Sequence, residues 1–217
     1  MKEVLERYFA SWYHSPKVVA ISGASYSSAF SRGDVKVACH ICKTSPDTCD
    51  KVVLNCDTRG ETVEVLDLES FLNSFNGLKA LPSKRKCDLL LSNERKIVFC
   101  DMTCSQAKYI DSFLMSSTNV EKIGKRMTAL CQLRESLTVL HNVPEVAAEI
   151  DSKEEKVVLF AFRSKSTSDM TELDQQVAKS MASFNNMSSV LSEDNFSFDV
   201  PFGFVYSEVM YPDSYVW

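Results

Sequence analysis

Apolar residues recur along this chain with two periods, and the switches between them mark out the elements. Val4, Leu5, Tyr8, Phe9 and Trp12 stand three and four apart, so residues 2–13 are predicted as an amphipathic helix. Ser15-Pro16 ends it, because a residue before proline avoids helical angles. β-Branched runs at 18–21 and 35–41 predict strands around a Ser/Gly-rich loop. Residues 52–56 and 62–66 flank Asp57-Thr58-Arg59-Gly60 and predict a hairpin, with a short helix from Leu68 to about Phe75. Strands at 87–91 and 96–102, joined by the polar residues 92–95, form the clearest predicted hairpin. Thr118 and Glu121 then make a capping-box pattern before a long helix with Ile123, Met127, Leu130, Leu133, Leu137 and Leu140 on one stripe. Pro144 lies beyond its end. The continuous apolar run 157–162 reads as a buried central strand. Thr171 and Asp174 cap a further helix, and residues 202–209 make a last strand.

The order of these elements predicts an α/β fold: one mixed central sheet flanked by helices, in a single domain spanning 1–217, with a C-terminal helix and strand. A 45% hydrophobic fraction supplies a real core, and six Gly and six Pro are too few for a disordered chain. The N-terminal stretch lacks the apolar run of a signal peptide, and no segment approaches the roughly 18 apolar residues of a membrane span. The expectation is a cytoplasmic protein with no membrane partner and with reduced thiols. A net charge of −5 restricts any contact with nucleic acid to a local basic patch.

The chemistry concentrates in the 87–102 hairpin. With residues 92–95 as the turn, Asp88 opposes Phe99, and Asp101 stands two residues further along the same face. The two carboxylates are then diagonal neighbours about 7 Å apart at Cβ, within reach of one cation. Mg²⁺ takes hard oxygen ligands and keeps several waters, so two carboxylates and a phosphate oxygen suffice to hold it. Such a metal activates water and stabilises charge on a phosphate.

Cys87-Asp88-Leu-Leu-Leu, then Lys96-Ile-Val-Phe-Cys-Asp101-Met-Thr103, then Leu130-Cys-Gln132-Leu and the run 157–162 resemble the PD-(D/E)XK nuclease superfamily. The match is best over 87–163. The resemblance implies a restriction-endonuclease-like core of helix, antiparallel strands, helix and strand. It implies Asp88 and Asp101 as Mg²⁺ ligands and catalytic acids, with Gln132 near them and Glu3 or Glu6 as a further ligand. Thr103 falls where the family carries its lysine, and Pro does not precede Asp88. A hydroxyl cannot supply the missing positive charge. The expected function is therefore a nuclease fold with a degenerate site that binds a nucleic acid or a protein rather than cutting. The alternative is a Mg²⁺-dependent nuclease that borrows a lysine such as Lys108 or Lys125.

Lys84, Arg85 and Lys86 before Asp88, with Lys122, Lys125 and Arg126 on the long helix, are the residues expected to meet phosphates. Cys39, Cys42, Cys49 and Cys56 have only the first spacing of a zinc knuckle; the wider later gaps argue for thiols in packed strands instead. His14, His40 and His141 accompany no nucleophile, and no Gly-rich phosphate loop is present. Tyr215 and Trp217 read as a tail that could meet a partner if exposed.

Overall fold

The computed structural model describes residues 1–12, 28–38, 52–73, 86–106, 110, 113–115, 121–123, 125–165 and 200–217. Helix α1 runs as Lys2–Val4, a π-helical turn Leu5–Phe9 and Ala10–Trp12. Strands β1 (Ser28–Ala38), β2 (Val53–Asp67), β3 (Leu89–Ser92) and β4 (Lys96–Gln106) form an antiparallel meander. Helix α2 (Leu68–Asn73) sits between β2 and β3. Strands β5 (Phe113–Met115) and β6 (Glu121–Ile123) pair with each other, and helices α3 (Lys125–His141) and α4 (Pro144–Asp151) follow. β7 (Glu155–Lys165) adds in parallel to β4, β8 (Val205–Met210) in parallel to β7, and β9 (Ser214–Val216) in parallel to β2. The result is a mixed seven-stranded sheet in the order β1-β2-β3-β4-β7-β8, with β9 beside β2 and helices against it.

Period-2 alternation divides the sheet's side chains between two faces. On one face Leu90, Ile97, Phe99 and Val158 join Leu5, Phe9, Phe71, Leu130, Leu133 and Leu137 from the helices. On the other, Leu54, Val63, Leu91, Val98, Cys100 and Leu159 pack with Tyr215 and Trp217. The run 157–162 is indeed a central strand: Val158, Leu159 and Phe160 are fully buried.

Several sequence expectations are corrected. Residues 52–66 do not fold back on themselves. They form one strand because β1 supplies a partner along the whole length. The turn-like residues become a bulge: pairing jumps from Arg32↔Thr62 to Asp34↔Asp57, with positive φ at Gly33, Arg59 and Gly60. Thr58 Oγ1 accepts from the Gly33 N–H at 2.9 Å and donates to the Gly33 carbonyl at 2.7 Å, which satisfies the backbone the bulge exposes. The long helix starts at Lys125, and Glu121 belongs to β6 instead of a capping box; Thr118 lies outside the described residues. Pro144 opens a second helix, since its missing N–H costs nothing at a first helical position. The last strand begins at Val205 and not at 202.

The predicted strand 18–21, the predicted helix around 171–191, and Cys39, Cys42, Cys49, Lys84, Arg85, Lys108, His14 and His40 lie outside the described residues. No helix among the described residues is long and apolar enough to cross a membrane.

Candidate functional site

The β3–β4 hairpin closes two residues later than its sequence suggests. Asn93 N–H donates to the Lys96 carbonyl at 3.0 Å, and the Asn93 side-chain oxygen accepts from the Arg95 and Lys96 N–H groups at 2.9 and 2.7 Å. Asparagine thus caps its own turn. Ser92 pairs with Ile97 and Leu89 with Cys100, so the ladder extended by one residue sets Asp88 directly opposite Asp101, not diagonal to it. A shift of two residues keeps every side chain on its face. Both aspartates therefore share the face that the helices cover.

Asp88 is anchored: its Oδ2 accepts from the Met102 N–H at 2.6 Å. Asp101 is 5% exposed, and no hydrogen bond from the described residues reaches its carboxylate. Burial pushes its pKa well above the ordinary aspartate value; the charges of Asp88 and then Glu69 add to this, and Lys125 opposes it. The two aspartates form a coupled pair that holds a proton or calls for a cation.

The Asp101 row continues across the parallel strands as Phe160 and Glu208. Thr103 lies two residues beyond Asp101, half-buried and opposite Phe162, so the position of the absent lysine faces an aromatic ring.

Helix α3 holds the approach to Asp88 rather than touching the carboxylates. Gln132 Nε2 donates to the Lys86 carbonyl at 2.9 Å, and the Ser136 hydroxyl accepts from the buried Cys87 N–H at 2.9 Å. From the other side, the Leu68 and Glu69 N–H groups donate to the Asp88 carbonyl at 2.9 and 3.2 Å. Asp88 is thereby fixed by three elements.

The basic residues divide. Lys86 is buried and donates to Asn73 Oδ1 at 2.7 Å; burial lowers its pKa and Glu69 opposes that shift. It is not a phosphate-facing surface lysine. Arg126 is also committed, with its guanidinium gripping both oxygens of Glu208, Nη2 at 3.0 Å, while the Tyr206 hydroxyl donates to the same carboxylate. Lys125 is exposed and makes no hydrogen bond or ion pair among the described residues.

Glu3 is exposed and Glu6 faces Lys2 at 3.7 Å; the third carboxylate whose charge acts on Asp101 is Glu69 instead. The sequence reading missed Glu69 and Ser136. Ser136 left one trace, a polar residue inside the Leu133, Leu137, Leu140 stripe.

Two carboxylates, one of them buried without a donor, fit a hydrated divalent ion of the Mg²⁺ type. Among the described residues no three His, Cys, Asp or Glu side chains gather as a ready-made metal cage. Cys56 is a buried free thiol whose pKa burial raises to about 11, the behaviour of a core residue. His141 is structural: Nδ1 lies 3.0 Å from the Leu137 carbonyl, Nε2 3.3 Å from Asp151, and the ring stacks on Phe202 at 3.7 Å. Tyr215 and Trp217 are no exposed tail; each is 9% exposed, and they flank the Lys96 ammonium at 5.2 and 5.3 Å. Comparison with known protein families, with curated proteins and with solved structures finds no match to this chain.

Proposed function

We propose that this chain is a nuclease-like domain with a degenerate active site, which binds nucleic acid through a divalent cation held by Asp88 and Asp101. The observation that carries the proposal is the Asp101 carboxylate, buried and without a hydrogen bond among the described residues, directly across from Asp88. A buried charge of that kind is costly unless a proton or a cation offsets it. The cation, when bound, supplies a positive centre for a phosphate oxygen. The resemblance to the PD-(D/E)XK superfamily is supported by element order: an antiparallel meander, then a crossing helix, then a parallel strand. Thr103 leaves the lysine position neutral, which favours binding over hydrolysis.

One observation favours a second reading, a metal-dependent nuclease. Lys125 is uncommitted, and its positive charge acts on Asp101. An ammonium there would do the work Thr103 cannot.

The two readings separate in one assay. The purified chain is mixed with single- and double-stranded DNA and RNA, with Mg²⁺, Mn²⁺ or EDTA, beside an Asp88→Ala/Asp101→Ala control. Metal-dependent retention without cleavage, lost in the control, is the expected result. Cleavage that disappears in both the control and Lys125→Met establishes the nuclease. Absence of any metal-dependent binding refutes both.

A further inference from the structure

We infer that Glu69 is a third acidic member of the Asp88–Asp101 site, accepting hydrogen bonds from the water shell of the bound cation. This rests on the cation-binding reading above and adds to it a residue outside the predicted motif.

The placement begins with local geometry. Asp67 caps α2, its Oδ1 accepting from the Ser70 N–H at 2.9 Å, which leaves the preceding N–H groups free to bond elsewhere. Those of Leu68 and Glu69 converge on the Asp88 carbonyl. The first turn of α2 is therefore fastened to the very residue that carries one of the paired carboxylates, and Glu69 moves with it. Its negative charge is felt by Asp101.

Two facts set the role. The described carboxylates do not close into a three-ligand cage. A Mg²⁺-type ion keeps most of its waters, and the protons of those waters need acceptors. A carboxylate one water away from the ion meets that need. The independent sign that a ligand belongs here is Asp101, 5% exposed and without a donor among the described residues. Lys86 stands on the far side of Glu69 and is fixed to Asn73, the last residue of the same helix, so it offsets part of this charge. Glu69 is a positioning residue for the ion, not a catalytic one.

The test is a Mn²⁺ titration of the full chain followed by electron paramagnetic resonance and water-proton relaxation, with wild type, Glu69→Gln, Glu69→Asp and Asp101→Asn. Wild type is expected to bind one Mn²⁺ and Asp101→Asn to lose it. Glu69→Gln is expected to bind about tenfold more weakly. Its relaxation per bound ion should also change, because the waters lose an acceptor, while far-UV circular dichroism stays that of wild type. Glu69→Asp should recover part of the affinity. Glu69→Gln binding as tightly as wild type overturns the role of Glu69 and leaves the aspartate pair intact. Should Glu69→Gln not fold, Glu69→Asp with unaltered affinity and relaxation overturns it equally. A wild-type chain that binds no Mn²⁺ overturns both this role and the reading beneath it.

Discussion

Two carboxylates on one cross-strand row have opposite surroundings. Glu208, at the β8 end, is gripped by Arg126 and receives the Tyr206 hydroxyl. Asp101, two strands away with Phe160 between them, is more deeply buried and has no hydrogen-bond donor among the described residues. A carboxylate with its full set of donors fastens α3 to the sheet edge and is finished as structure. One without donors in a buried place is unfinished, and its environment raises its affinity for a proton or a metal ion. The contrast extends to two consecutive residues of α3: Arg126 is spent on Glu208, whereas Lys125 remains available.

The largest test of this contrast is Asp101→Asn. It should abolish divalent-ion binding while raising the thermal midpoint at neutral pH, by about 1–3 kcal/mol, the usual cost of a buried group left unsatisfied. The pH dependence has a definite sign. Asp101 holds its proton more tightly folded than unfolded. Its contribution to stability is then fullest below about pH 4, the ordinary aspartate value, and is lost as pH rises toward its raised folded value. Denaturant melts of wild type should show that decline above pH 4 and melts of Asp101→Asn should lack it. Millimolar Mg²⁺ should restore stability to wild type alone.

Ser136→Ala tests the support rather than the site. It strips the acceptor from the buried Cys87 N–H, and a loss of about 1–3 kcal/mol is expected in urea melts. Glu208→Gln attacks the finished half of the comparison. Its side chain is 29% exposed and so partly screened, and a loss of about 1 kcal/mol or less with unaltered Mn²⁺ affinity is expected. A changed metal affinity in Glu208→Gln would mean the two halves are one site. The smallest effect on stability belongs to Lys125→Met, within about 0.5 kcal/mol for an exposed position. Its signature is spectroscopic: the Asp101 carboxyl resonance should titrate at higher pH once the opposing positive charge is gone.

Much of the fold was legible from spacing alone. The α1 stripe, the 157–162 run and the β3–β4 hairpin follow from local periodicity, and the hairpin pairs Asp88 with Asp101 on one face whether its register is read at Ser92 or at Asn93. The bulge at Thr58–Gly60 was misread as a turn because the residue types that suit the two are the same; only the presence of β1 decides between them. Arg126 looked like a phosphate-binding residue because its partner lies 82 positions away.

By itself, then, the sequence determined the α/β class, the mixed sheet and the shared face of the two aspartates, since these depend on side-chain periods of two and 3.6 that each segment carries locally. Only the tertiary structure decided that Asp101 is buried and undonated, that Asp88 is held by Gln132 and Ser136 of α3 and by the start of α2, and that Glu69 joins them. Those facts arise from contacts between residues 46 and 49 positions apart, or from the docking of one element on another. Burial and hydrogen-bond satisfaction are properties of the packed chain and have no local signal to read.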